Sequence, residues 1–272
     1  MRAPIKERIV VLRYARMDDE VYRNVCDALF PYLESSFEQD PFVKERLNTP
    51  SVTMPLPTIG EQEPDWAQVR VAIDQTYRFW NGSRTRCIQF FKDYLTVNLI
   101  EAKSVCKAAG SHEELFDFFL KVLPFISQHA KAFKMTGAGL DYLNVLSEDQ
   151  LSQYLTNDGK TLELAHLFRS DMIGRAIPGA MSLTPLVHQT VYGPDPLATA
   201  PFPARLTVSV RVPDRGPDGW RVEVLLSAAG PLQTFSPNTV REFLASMHCA
   251  VYQGYCATFS DEIVNQGKKV SP

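Results

Sequence analysis

One stretch limits the folds open to this chain more than any other. From Val69 to Trp80 the residues alternate, with Val69, Val71, Ile73, Tyr77 and Phe79 on one side and Arg70, Asp74, Thr76 and Arg78 on the other. A period of two is that of a β-strand. Asn81-Gly82 follows, a pair whose tolerance of positive φ suits a two-residue type I′ hairpin. Residues 84–91 are expected to return as a second strand, Lys92-Asp93 to reverse, and residues 94–100 to form a third. A meander with one apolar face is not stable alone, so something in the chain must cover it.

Two segments have the pattern of a cover. Ser111 with Glu114 three residues on is a capping box, and it opens a helix to about residue 134 that presents Leu115, Phe118, Phe119, Val122, Phe125 and Ile126, with Pro124 arguing for a bend. Ser236-Pro237 opens the longest amphipathic run, to about residue 268, because a capping serine precedes a proline at a position that needs no N–H partner. Its stripe runs Val240, Phe243, Leu244, Met247, Val251, Tyr255, Phe259, Ile263.

The other elements fall around these. Residues 9–14 read as a strand, and Asp18 and Asp19 cap a helix to about residue 37 that Pro31 should kink or shorten. Residues 40–66 carry Pro41, Pro50, Pro55, Pro57 and Pro64, and read as a long surface connection. Gly137-Ala138-Gly139 is expected to end the first cover helix and feed a strand over 140–146. Residues 147–168 give a weaker helical signal broken at Asn157-Asp158-Gly159. Strands are expected over 181–192, 204–212 and 220–226, with turn-rich links over 193–203 and 213–219. The prediction is an α+β fold: a mainly antiparallel sheet in two β-β-β-α halves, 1–146 and 147–272, with long helices packed on one face.

Composition narrows the function classes. An apolar share of 45% over 272 residues is that of a globular chain, and a net charge of −3 gives no general attraction to nucleic acid or anionic membrane. No apolar run is long enough to span a bilayer, and the first twenty residues lack a signal-peptide core. Five scattered cysteines suggest reduced thiols and a cytoplasmic location.

Chemistry-bearing motifs are few. No His-Glu-x-x-His, Cys-x-x-Cys, P-loop or nucleophile elbow occurs, so no metal, cofactor or catalytic residue is assigned. The Gly137–Gly139 run follows a helix and precedes a strand, the reverse of a dinucleotide fingerprint. On the last helix, Cys249 and Cys256 read as packing residues, and His248 is the histidine with the best claim to a role, among His112, His129, His166, His188 and His248. The hairpin over 77–86 interleaves Arg78, Arg84 and Arg86 with aromatics, of which Trp80 falls beside the arginines. Arginines pair with phosphates and aromatics stack on bases, so this is the candidate nucleic-acid surface, against the competing reading of a solvated sheet face.

Three segments resemble a sporadically distributed family of prokaryotic proteins of similar length. Ala3-Pro4-Ile5 with Glu7 is similar to that family's N-terminal AP-I-x-E strand. Residues 88–98 are similar to its central hairpin. Gly139-Leu140-Asp141-Tyr142-Leu143-Asn144 is similar to its G-L-R-Y-x-N strand, and Met247-His248 with Phe259 fits its helical C-terminus. Asp141 stands where the family usually has arginine, so any function that arginine carries is lost or changed here. The resemblance implies a fold and a prokaryotic or phage origin, and no reaction. Together these readings favour a non-catalytic interaction or regulatory module of a bacterial operon, of the defence or mobile-element kind, with a protein partner. The alternatives are a nucleic-acid-binding module using the hairpin, or an enzyme using His248.

Overall fold

A computed structural model describes residues 5–53, 70–100, 111–154, 167–169, 187–193, 205–211, 221–232, 236–261 and 263–264. Its strands are β1 (Ile5–Tyr14), β2 (Phe42–Thr53), β3 (Arg70–Asn81), β4 (Arg86–Phe90), β5 (Tyr94–Ile100), β6 (Met135–Leu146), β7 (Val187–Tyr192), β8 (Arg205–Arg211) and β9 (Val222–Gly230). Its helices are α1 (Asp19–Ser36), α2 (His112–Gln128), the single turn α3 (Glu148–Leu151) and α4 (Pro237–Thr258).

The nine described strands form one sheet in the order β2-β3-β4-β5-β1-β6-β9-β8-β7, and every pairing between them is antiparallel. The expected meander occupies one side as β3-β4-β5, a second meander occupies the other as β9-β8-β7, and β1 and β6 join them. The expected α+β class with a mainly antiparallel sheet therefore holds.

The long helices lie over one face of this sheet. Tyr77 and Phe79 of β3 point to that face, where Tyr22 and Phe30 of α1 meet them at ring-centroid distances of 5.8 and 6.3 Å. The buried hydroxyl of Tyr22 donates to the Phe90 carbonyl at 2.6 Å, tying α1 to β4. α2 packs on β1 and β5, and α4 on β6, β8 and β9. The α4 stripe predicted from spacing is buried at Val240, Phe243, Leu244, Met247 and Val251. Burying side chains of this size stabilises by about 1.5–3 kcal/mol each relative to exposure, which is what holds the helices on the sheet.

Several boundaries differ from expectation, each for a local reason. Within the proline-bearing stretch 40–66, residues 42–53 form β2, the outermost described strand at one side, paired with β3. Pro50 fits there because a strand at a sheet edge has an outward side on which a missing N–H costs nothing. The Asn81-Gly82 reversal is not a two-residue turn: the last pair is Trp80 with Cys87, and the positive φ falls on Arg84 at 58°. Asn81 is instead a buried hub. Its Oδ1 accepts from the backbone N–H groups of Thr85 and Arg86, and its Nδ2 donates to Asp40 and Ser83.

Ser111 caps α2 through the Glu114 N–H as predicted, but the helix stops at Gln128 and Gly137-Ala138-Gly139 belong to β6. A Cβ on Gly139 would sit 2.8 Å from the Ala228 carbonyl oxygen, so the glycine serves close strand approach. Pro31 does not shorten α1, which runs to Ser36. The last helix is not uninterrupted. It ends at Thr258 because Phe259 turns extended and bridges to Phe168, with Arg169 N–H donating to the Thr258 carbonyl and Ser260 N–H to the Leu167 carbonyl. The readings placed on residues 54–69, 155–166, 181–186, 194–203, 212–220 and 265–272 lie outside the described residues.

Candidate functional site

The only histidine cluster among the described residues lies where α2 and α4 meet above β1 and β6. His248 follows Met247 on α4, so it leaves the sheet-facing stripe and turns toward α2. His112 is the first residue of α2, fixed there by the Ser111 cap. Tyr142 alternates along β6 with Leu140 and therefore faces the helices, and Arg8 stands opposite it in the β1–β6 register.

These four side chains converge. The Tyr142 hydroxyl lies 2.9 Å from His248 Nδ1. The imidazoles of His112 and His248 stack with centroids 4.0 Å apart and planes 13° from parallel. The Arg8 guanidinium lies 5.4 Å from the Tyr142 ring centroid. Glu113 Oε1 lies 2.8 Å from His112 Nε2.

Proton placement follows from the partners. Between Tyr142 and His248 the hydroxyl donates to Nδ1 when the imidazole carries its proton on Nε2, and accepts from Nδ1 in the other tautomer. Burial, with the nearby His112 ring and Arg8 guanidinium, pushes His248 down to about 4, so it is neutral at pH 7. Burial pushes Tyr142 up to about 12. The Glu113 carboxylate is held below its ordinary range by its own backbone N–H, by Ser111, and by the two imidazoles. A neutral imidazole can serve as a base, but Nδ1 is already engaged with the Tyr142 hydroxyl.

The hairpin residues singled out in the sequence do not gather into one surface. Arg78 Nε donates to Gln89 Oε1 at 3.3 Å on the sheet face away from the helices. Trp80 shares that face, and the Arg84 guanidinium sits 5.1 Å from its ring while pairing with Glu45 at 2.8 Å. Arg86 points to the opposite face, its guanidinium 5.7 Å from the Phe118 ring of α2. Two of the three arginines are thus committed to side-chain partners, and the third is committed to the helix layer.

The face away from the helices carries a second polar set. Asp141 is half-buried and accepts from the Ser227 hydroxyl at 2.5 Å, with burial holding its carboxyl above the ordinary range. Glu7, half-buried, accepts from Asn98 Nδ2 and is likewise raised by burial. Cys26 and Cys87 are buried and pushed up to about 12, so neither thiol is activated. Cys249 is exposed rather than packed, and Cys256 is half-buried.

A shallow cleft of about 290 Å³ lies elsewhere, lined by Asp19, Tyr22, Arg23, Gln75 and Lys92, with Lys92 paired to Asp19 at 2.7 Å. No group of three or more metal-ligating side chains occurs among the described residues. No helix among them is long and apolar enough to cross a membrane. His129 stacks on Phe125 at 4.2 Å, while His166 and the His188 side chain lie outside the described residues.

Comparison with known proteins finds no family model that matches this chain and no curated protein that matches it.

Proposed function

We propose that this chain is a non-catalytic interaction or regulatory module that docks a protein partner at the β7 end of the sheet. The observation that carries the reading is the exposure of Val191 there, at 46%. Tyr192 is 39% exposed and Tyr252 on α4 is 50% exposed. These belong to one end of the molecule: Tyr192 pairs in register with Leu206, whose side chain lies under Gly254 of α4.

The two ends of the sheet contrast. β2 carries Lys44, Glu45, Arg46 and Pro50, the residue types that discourage strand-to-strand association. β7 reads VHQTVY, without lysine, arginine, carboxylate or proline. β2 also exposes an apolar residue, Val43 at 55%, but beside Lys44, Glu45 and Arg46, so a partner that adds a strand suits the uncharged β7 better. In the same proposal the chain consists of two β-β-β-α halves, works in the cytoplasm, and serves a bacterial operon of the defence or mobile-element kind. That setting rests on the resemblance of the stretches around Ile5, Ile88 and Gly139 alone.

The test is affinity purification from the source organism with the parent and with Val191→Glu. The reading expects a partner retained by the parent and lost from the variant; equal retention by both removes β7 as the docking site. An enzyme using His248 is the second reading, favoured by the Tyr142–His248 hydrogen bond. A turnover found in the parent and lost in His248→Gln would select it. The nucleic-acid reading is weakened by the Arg84–Glu45 pair and by the placement of Arg86 on the helix side.

A further inference from the structure

We propose that the stacked imidazoles of His112 and His248 form a proton-operated latch between α2 and α4, closed while at least one ring is neutral and opened when acid charges both. The inference does not depend on the docking reading.

The stack sits at a helix–helix seam with one other charged tie, the Arg241–Asp117 ion pair at 3.1 Å. Between them they span the antiparallel overlap of α2 with α4. Two flat rings 4.0 Å apart at 13° attract while at least one is neutral. Two imidazolium rings in the same place repel, because each would carry a full charge across that gap.

Half-buried His248 has little to stabilise a charge in place. From β1 it faces the Arg8 guanidinium, from β6 the Tyr142 hydroxyl, and from α2 the His112 ring and the Glu113 carboxylate. By register, β9 and β8 present Val224, Leu226, Val208 and Val210 toward the helices, which add no counter-charge. An imidazolium donates from both ring nitrogens, so the Tyr142 oxygen would then have to accept from Nδ1. Glu113 is the one group that favours the charged form, and it is committed to His112. Protonation is therefore relieved by separation of the α2 start from α4. The same movement would uncover Phe116, which packs edge-on to His112 at 5.6 Å and is 5% exposed.

Hydrogen exchange of the full chain between pH 7.5 and 4.5, corrected for the intrinsic pH dependence of exchange, tests the latch. Peptides covering 111–116 and 244–252 should lose protection at least tenfold on acidification in the parent. His248→Gln keeps a polar partner for Tyr142 without an imidazole, and His112→Phe keeps a flat ring over His248 without a second charge. Both should lose most of that acid response, whereas Asp117→Asn should retain it. If His248→Gln fails to fold, His112→Phe decides. An acid response equal in the parent and His112→Phe, or none in the parent, overturns the latch. Loss of the response in Asp117→Asn alone would assign it to the ion pair instead.

Discussion

The hydroxyl of Tyr142 and Nδ1 of His248 lie 2.9 Å apart although 106 residues separate them in the chain. This contact joins the interior strand β6 to α4. Tyr142→Phe leaves the ring in place and removes the hydroxyl, so His248 Nδ1 loses its hydrogen-bond partner. Leaving such groups unsatisfied costs about 1–3 kcal/mol. Urea unfolding of the variant should show a lower midpoint with an unchanged slope.

Acid stability should carry the signature of His248. Its folded value of about 4 lies below the unfolded value of about 6.5. Between those values the unfolded chain binds more protons, so the contribution is complete above pH 6.5 and is lost as pH falls toward 4. Glu7 and Asp141 act in the opposite sense. Burial raises their folded values, so the stability they contribute is present at low pH and is lost as pH rises through the carboxylate range. Thermal melts from pH 4 to 8 should show a flatter acid limb in His248→Gln and, at pH 7, unchanged or higher stability in Asp141→Asn.

Asp141 also tests how far the face away from the helices tolerates a change of charge. Replacing this carboxyl with a guanidinium removes the acceptor of Ser227 and places a second cation near Arg13. Breaking a buried polar pair in this way costs roughly 3 kcal/mol or more. Asp141→Arg should therefore be markedly less stable than Asp141→Asn in urea, and an arginine tolerated without loss would mean that this face opens readily.

Two glycines should respond differently to the same change. A Cβ at Gly139 meets the Ala228 backbone oxygen at 2.8 Å, which cannot move without disturbing the β6–β9 ladder. A Cβ at Gly254 meets Leu206 Cδ2 at 2.9 Å, the end of a side chain that can rotate. Gly139→Ala should cost about 1–3 kcal/mol as an overpacked site. Gly254→Ala should cost much less, because alanine in a helix recovers about 1 kcal/mol over glycine. Paired denaturation curves measure the difference.

Much of this fold was legible because period and capping are local signals. The β5 boundaries, the Ser111 cap and the Val240-to-Val251 stripe all follow from spacing within one segment. What escaped depends on partners distant in the chain. β2 was hidden by the prolines in and around it, of which Pro50 lies within the strand and suits an edge position. Asn81 looked like a turn residue because its role as a hub depends on Asp40, a residue on another connection. The site was half visible: His248 stood out in the sequence, but Arg8, His112 and Tyr142 had no local mark. Their convergence is set by the β1–β6 register and by the place where α2 crosses α4. The alternation Leu140–Tyr142 was the one available hint that this tyrosine faces the helices.

His248 is a neutral, half-buried junction residue between Tyr142 and His112. A proton NMR titration of the His248 ring in the folded protein measures this directly. A pKa near 4, rising toward the ordinary histidine value when Arg8 is replaced by methionine, is the predicted result. A pKa at or above 6.5 in the parent would contradict it.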